Sequence, residues 1–150
     1  MMNYELLCSK VIAVTRLTGN FIRKEAMAFD AKAIEYKGLN DLVSYVDKNA
    51  EKQMVRNLSK LLPGSGFITE EDTIDTLGKT YTWIIDPLDG TTNFIHGIPT
   101  YAISIALYEE DQPVIGVVYE INRCEMFFTF KGGAAYPNNK EIQVSKNNNL

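Results

Sequence analysis

Two aspartates flank a proline and a leucine at the end of a short hydrophobic stretch. Asp86 and Asp89 are the first and fourth residues of the segment Asp86-Pro87-Leu88-Asp89. Aspartate followed by proline favours a tight turn, which brings its first and fourth Cα atoms within about 7 Å of each other. Both carboxylates, with the backbone carbonyl of Leu88 between them, can then converge on one site. Such hard oxygen ligands are those that Mg²⁺ prefers.

Small and hydroxyl-bearing residues follow these carboxylates in the segment Gly90-Thr91-Thr92-Asn93. Glycine lets a backbone approach a ligand closely. A helix that begins here, capped by Asp89 or Thr91, would present free N–H groups to a phosphate. Metal on one side and N–H donors on the other would then hold a phosphate monoester between them.

A second acidic cluster, Glu70-Glu71-Asp72, follows another short hydrophobic stretch. If the two stretches are neighbouring strands, both clusters lie at one edge of a sheet, where like charges repel unless a cation separates them. Each cluster also has an ordinary alternative, because Asp-Pro-x-Asp-Gly is a good surface turn and consecutive acids are typical of a solvated turn. The two clusters together favour a metal site.

Other chemistries find little support in the sequence. His96 is the only histidine, which makes a Ser-His-Asp or Cys-His arrangement not credible and favours a structural role for this residue. The net charge of −4, without a cluster of Lys and Arg, argues against nucleic-acid binding. Cys8 and Cys124 form no CxxC pair and indicate structural roles in a reducing, cytoplasmic setting. No apolar run approaches the roughly 18 residues of a membrane span, and no signal-peptide pattern is present.

Two helices are expected to come first. The earlier one has an apolar stripe with Gly19 as a weak spot, where another helix could approach closely. The stretch 24–40 loses this period and predicts a loop. A second helix is predicted from Ser44, with Asp47 completing a capping box, to the stop at Pro63-Gly64. The two stripes are Leu7, Val11, Val14, Thr18 and Phe21, then Val46, Ala50, Met54, Leu58 and Leu61.

Strands follow the helices. They are predicted at 67–68, 82–85, 101–107, 114–119 and 126–130, with another around Ile142 and Val144. Short polar turns between the later strands indicate an antiparallel meander. The predicted fold class is therefore α+β, with two N-terminal helices packed on one face of a largely antiparallel sheet. The other face would stay bare, and a large bare apolar face usually means a missing partner.

Four blocks of the sequence resemble the inositol monophosphatases, within the lithium-sensitive, metal-dependent phosphatase superfamily. The resemblance implies the N-terminal part of the layered αβαβα fold of inositol monophosphatase and fructose-1,6-bisphosphatase. Residues 1–150 would form its metal- and phosphate-binding domain, without the C-terminal domain and its further metal ligand. The blocks are Lys37 with DLVSYVD at 41–47, FITEED at 67–72, WIIDPLDGTTNFIHGIP at 83–99, and GVVYE at 116–120 with GGAAYPNNKEIQVS at 132–145.

The resemblance implies roles for individual residues. The implied metal ligands are Glu70, Asp86, the backbone carbonyl of Leu88, and Asp89, with Asp86 shared between two ions. Glu70 and Thr91 would activate the attacking water together, and Asp47 would lie near a third, looser metal position. The implied substrate-binding residues are Leu88, Asp89, Gly90 and Thr91, the backbone of the last two holding the phosphate.

The implied activity is hydrolysis of a phosphate monoester, with two or three Mg²⁺ ions and with Mn²⁺ as an alternative. Inositol monophosphate is the first substrate, and the alternatives are fructose 1,6-bisphosphate, histidinol phosphate and a nucleotide 3′-phosphate. The pair Thr92-Asn93 favours a phosphatase of the inositol type over one that acts on nucleotides. The 150 residues alone are expected to be weak or inactive. An alternative of another class is a non-catalytic member associated with RNA or transcription, and the full-length protein is expected to be a homodimer.

Overall fold

The computed structural model describes residues 2–28, 36–70, 78, 80–138 and 140–143, with side chains from residue 45 onward in the second of these ranges. The described helices are α1 (Tyr4–Ala28), α2 (Tyr36–Leu61) and α3 (Thr91–Ile95). The described strands are β1 (Gly66–Thr69), β2 (Tyr81–Asp89), β3 (Ala102–Glu109), β4 (Gln112–Glu120), β5 (Glu125–Phe130) and β6 (Ala135–Pro137). They form one sheet in chain order, in which β1 and β2 run parallel and every later pair is antiparallel.

Helix α1 buries most of the predicted stripe against α2 and the sheet. Leu7, Val11 and Thr18 are buried, Val14 and Phe21 are only partly buried, and the helix packs on α2, β4 and β5. At Gly19 the close neighbour is a strand and not the helix that the sequence suggested. A Cβ atom at Gly19 would lie 2.6 Å from the ring of Tyr119 on β4, so only glycine fits without a shift of that ring.

Helix α2 begins at Tyr36 rather than at Ser44. Ser44 therefore lies inside the helix, and the predicted capping box is wrong. The predicted loop at 24–40 is wrong at both ends, because α1 continues to Ala28, and residues 29–35 lie outside the described part. Pro63 is the first proline of the chain, and a glycine inside a helix costs only about 1 kcal/mol, so nothing in this stretch forbids a helix.

The core lies between the two long helices and one face of the sheet. The residues Val46, Ala50, Met54 and Leu58 of the α2 stripe are fully buried, and burial of each of the three larger side chains stabilises the fold by roughly 1.5–3 kcal/mol. Trp83 on β2 is also fully buried, and its Nε1–H donates a hydrogen bond to Ser65 Oγ at 3.0 Å. The predicted α+β architecture, with the helices on one face of a largely antiparallel sheet, is confirmed.

The end of the described chain differs from its prediction. Strand β6 (Ala135–Pro137) pairs with β5 and was not predicted, while Ile142 makes only an isolated bridge to Ala135. Val144 lies outside the described residues. Among the helices of the described residues, none has the length and apolar character that crossing a membrane requires.

Candidate functional site

The segment Asp86–Asp89 is the last part of β2 and not the tight turn that the sequence predicts. Asp86 pairs with Ser104 and Asp89 with Ala102, so β2 carries an extra residue against β3, which is a β-bulge. Pro87 suits a bulge because it has no N–H to donate to the sheet. The Leu88 N–H donates to Asp86 Oδ1 at 3.0 Å and fixes the side chain of Asp86.

Glu70 and Asp86 lie side by side where β1 and β2 end. The parallel register pairs Thr69 with Ile85, which sets the next residue on each strand beside the other. The two carboxyl side chains are in hydrogen-bond contact, and the charge of Asp89 also acts on Asp86. Burial, together with the adjacent carboxylate of Glu70, raises the pKa of Asp86 to about 7. Parallel pairing thus brings the two acidic segments together.

The oxygen donors at this edge fit a hard divalent cation. Among the described residues, no three His, Cys, Asp or Glu side chains are arranged closely enough to form a metal-binding group. The contacting pair Glu70 and Asp86 is nevertheless suitable for Mg²⁺, which is commonly held by one or two carboxylates and keeps several waters. Two ionised carboxylates in contact repel each other, and a cation between them removes this cost. Glu71 and Asp72 lie outside the described residues.

Gly90 makes the turn from β2 into α3. It is the N-cap of α3 with φ +96°, and no side chain among the described residues caps the helix, so the predicted caps Asp89 and Thr91 are wrong. The Thr91 hydroxyl instead donates backwards to the Leu88 carbonyl at 3.0 Å. A Cβ atom on Gly90 would lie 3.1 Å from the Thr100 carbonyl oxygen. Both the backbone angle and the crowding therefore require glycine at this position.

Two acids of α2 are buried. Asp47 is 4% exposed and Glu51 is fully buried, on a helix that packs against β2 and α3. Glu51 was not singled out from the sequence. Its position in the sequence could have indicated that it is buried. Glu51 follows Asp47 by four positions and lies beside the buried Ala50, where a charged residue is rare.

The only histidine lies away from the contacting carboxylates. His96 is exposed at the C-cap of α3, where its backbone N–H donates to the Thr92 carbonyl at 3.2 Å. It borders a cavity of about 580 Å³ between α3 and the end of α1, next to Arg23 and Tyr101. None of Glu70, Asp86 and Asp89 lines this cavity.

Comparison with known proteins shows to which family this chain belongs. The sequence profile of the inositol monophosphatase family matches residues 5–150. Inositol-1-monophosphatase of Mesorhizobium japonicum is 43% identical over 113 residues, which are 75% of this chain and 42% of that protein. Fructose-1,6-bisphosphatase/inositol-1-monophosphatase of Aquifex aeolicus is 37% identical over 142 residues, which are 94% of this chain and 54% of that protein.

A solved structure agrees with the sequence comparison. Inositol monophosphatase II of Staphylococcus aureus superposes with a TM-score of 0.79 at 28% identity, over 95% of this chain and 53% of the other. This protein belongs to the inositol monophosphatase family. The chain spans about half the length of the curated relatives it matches, between 42% and 54% in these two cases.

Proposed function

We propose that this chain supplies the metal- and phosphate-binding part of a magnesium-dependent phosphatase that hydrolyses phosphate monoesters. The observation that carries the proposal is the contact between Glu70 and Asp86 at the end of a parallel strand pair. The glycine turn into α3 follows directly after β2. Along the chain, only the bulge at residues 86–89 therefore separates Asp86 of the acidic pair from the N–H groups of that turn. Membership of the inositol monophosphatase family supports the same reading.

Four groups would hold the cation. The carboxylates of Glu70, Asp86 and Asp89 supply negative charge, and the Leu88 carbonyl adds a neutral oxygen. That carbonyl accepts one hydrogen bond from Thr91, and its second lone pair remains for a cation. When bound, Mg²⁺ would neutralise phosphate charge and lower the pKa of a water ligand.

The remaining residues would orient the substrate and the water. The N–H groups of Gly90 and Thr91 at the start of α3 would donate to the phosphate oxygens. Glu70 would accept a proton from the attacking water, assisted by the Thr91 hydroxyl. Asp47, which is buried on α2, would help to hold a further cation that is bound more weakly than the others.

Inositol monophosphate is the proposed substrate. The relative from M. japonicum bears the name inositol-1-monophosphatase, and the one from A. aeolicus bears that of a dual fructose-1,6-bisphosphatase and inositol-1-monophosphatase. Fructose 1,6-bisphosphate, histidinol phosphate and a nucleotide 3′-phosphate are the alternatives to be tested. Inhibition by lithium, replacement of Mg²⁺ by Mn²⁺, a homodimer and a cytoplasmic location remain predictions.

The proposal is tested by phosphate release in the presence and absence of Mg²⁺. The panel is inositol 1-phosphate, fructose 1,6-bisphosphate and a nucleotide 3′-phosphate, each with and without LiCl. Asp86→Asn is the test variant, and Asp111→Asn, an exposed aspartate in the turn between β3 and β4, is the matched control. Because the chain alone is expected to turn over slowly, the rise in melting temperature on adding Mg²⁺ is measured in parallel.

The outcomes separate the classes of function. Release from inositol 1-phosphate that Asp86→Asn abolishes and Asp111→Asn leaves intact would support the proposal. Preference for another substrate of the panel would keep the reaction and change the substrate. A folded protein that neither responds to Mg²⁺ nor releases phosphate would overturn the catalytic reading, and salt-dependent RNA retention on a filter would then favour the non-catalytic class.

A further inference from the structure

The cavity of about 580 Å³ between α3 and the end of α1 has no part in the proposed function. It is bordered by the apolar side chains of Phe94, Ile95 and Pro99 and by the polar side chains of Arg23 and Asn122. Its volume lies within the range of about 300–1,000 Å³ that is usual for small-molecule sites. A mostly apolar cavity with a few polar groups is also the usual form of such a site.

The guanidinium of Arg23 borders this cavity without an anionic partner. It is held in place through Nη2, which donates to the Ile121 carbonyl, to Cys124 Sγ at 3.2 Å and to Tyr119 Oη at 3.4 Å. None of these partners is a carboxylate, and in the part of the chain that the structure describes Arg23 forms no ion pair. Because a partly buried charge is costly unless it is paired, this guanidinium indicates a site for an anion.

A buried amide donor borders the same cavity. Tyr101 Oη donates to Asn122 Oδ1 at 3.5 Å, which leaves Nδ2 as the free group of this amide. Nδ2 is shielded from water and has no acceptor among the described residues. A buried donor without a partner is unfavourable, because it has lost its hydrogen bond to water and gained none in return. A negatively charged oxygen between Arg23 and Asn122 would satisfy both groups.

The other charged groups nearby leave room for this anion. Glu25 and Glu120 are the carboxylates nearest in sequence to Arg23 and to Asn122, and neither borders the cavity. Glu120 accepts instead from the backbone N–H of Arg123. Exposed His96 at the border adds a ring N–H donor.

The apolar border of the cavity determines what the anion would carry. Phe94 is buried edge-to-face against Tyr101, with 5.3 Å between the ring centroids, and Met27 at the border is 78% exposed. The hydroxyl groups of a polyol phosphate would find no partners on Phe94, Ile95 and Met27, whereas an alkyl or aryl group would gain by leaving water there. A carboxylate with an apolar body therefore fits the cavity better than a sugar phosphate.

We propose that this cavity is a second ligand site, separate from the candidate metal site, and that it binds a small carboxylate with an apolar body. The free N–H groups of Arg23 and Nδ2 of Asn122 would donate to the carboxylate oxygens, in hydrogen bonds that the charges strengthen. The apolar body would pack against Phe94 and Ile95. Neither Glu70 nor Asp86 borders the cavity, so the proposal does not depend on the proposed function.

The test measures the binding of 3-phenylpropionate and of hexanoate to the 150-residue chain by ligand-observed NMR titration in EDTA. The comparison ligands are 3-phenylpropanamide, which has the same body without the charge, and inorganic phosphate, which has charge without an apolar body.

Two variants place a competing carboxylate inside the site. Asn122→Asp keeps the oxygen that accepts from Tyr101 and replaces the donor by a negative oxygen. Met27→Glu lies one helical turn after Arg23 and can pair with it, and its exposure makes misfolding no concern. Leu17→Glu, on an exposed position of α1 that does not border the cavity, is the control with the same change of charge. Melting temperatures of all variants are measured in parallel.

The expected result is binding of at least one of the two carboxylates by the unaltered chain and by Leu17→Glu, with the amide, phosphate and both cavity variants at least about tenfold weaker. The cavity variants should melt no lower than the unaltered chain, because each supplies Arg23 with an anion. Binding of neither carboxylate, or equal binding by all variants, would overturn the proposal. Phosphate that binds as tightly as the carboxylates would also overturn it, because the apolar body would then contribute nothing. Self-association that the cavity variants abolish, without carboxylate binding, would assign the cavity to a contact between copies instead.

Discussion

The hydroxyl of Thr91 donates a hydrogen bond to the backbone carbonyl of Leu88 at 3.0 Å. The Leu88 N–H in turn donates to Asp86 Oδ1 at 3.0 Å. Two hydrogen bonds therefore connect the carboxylate of the acidic pair to the first residue of α3. A change at Thr91 is expected to reach Asp86 through the backbone of Leu88.

Thr91→Val keeps the shape of the side chain and removes this hydrogen bond, whereas Thr91→Ser retains the hydroxyl. We expect the valine variant to lose roughly 10²-fold or more in kcat, within the usual range for a group that assists proton transfer, and the serine variant to stay within about tenfold. Steady-state kinetics on inositol 1-phosphate measures this. A loss in the serine variant with the valine variant unaffected would show that packing of the threonine methyl group matters and not the hydroxyl.

Asp86→Asn is expected to change how stability depends on pH when metal is removed with EDTA. The folded-state pKa of Asp86, about 7, lies above its ordinary value of 3.8, because burial and Glu70 disfavour the charge. The protonated carboxyl is thus favoured by folding, and this stabilisation is complete below about pH 4 and is lost as the pH rises through about 7. The unaltered chain should therefore lose stability relative to Asp86→Asn between pH 4 and pH 7.

Melting curves in EDTA at several pH values check this prediction, with Asp111→Asn as the control. Adding Mg²⁺ at pH 8 should restore the stability of the unaltered chain and leave that of Asp86→Asn almost unchanged. A constant difference in melting temperature across the pH range would contradict the burial of Asp86 beside Glu70.

Gly90→Ala is expected to destabilise the fold for two reasons that a control can separate. A positive φ costs a residue with a Cβ about 1–2 kcal/mol, and at Gly90 that atom would also crowd Thr100 and Tyr101. Gly97 has φ +66° and open space around its Cβ position, so Gly97→Ala carries the backbone cost alone. Chemical denaturation should give a larger loss for Gly90→Ala, and similar losses would exclude the crowding.

The two cysteines should differ in reactivity. Cys8 is buried, and burial raises the pKa of its thiol to about 11, whereas Cys124 is exposed in the turn between β4 and β5. Only the thiolate reacts with an aromatic disulfide reagent. We expect one thiol to react in the native protein and two in denaturant. Cys124→Ser should abolish the fast native reaction, and rapid labelling that survives this change would contradict the burial of Cys8.

Periodic features of the sequence predicted the architecture well. The stripes of α1 and α2 and the alternation of β3 are repeated over many residues, so each element is specified several times. Val46, Ala50, Met54 and Leu58 are all buried as the helical period requires. The parallel placement of Glu70 beside Asp86 was also foreseeable, because each follows a short hydrophobic strand.

Features that depend on a single residue were predicted less well. Asp86-Pro87 fits a turn and a bulge equally, and only the pairing of Asp86 and Asp89 with β3 decides between them. The start of α2 was misplaced because Gly38 is compatible with a loop or with the interior of a long helix. Glu51 was overlooked because a charged residue is normally assigned to solvent. In each case distant parts of the chain determine the outcome.

The strand order has a consequence for synthesis on the ribosome. Every strand pairs with its neighbour in sequence, so the sheet can grow one strand at a time as the chain emerges. Helix α1 can pack against α2 early, but its partners in the sheet are β4 and β5, and the contact between Gly19 and Tyr119 can form only after β4 has been synthesised. At about 5–20 residues per second, roughly 5–20 s pass before that contact can form. During this interval the side of α1 that will face the sheet stays uncovered and is available to chaperones.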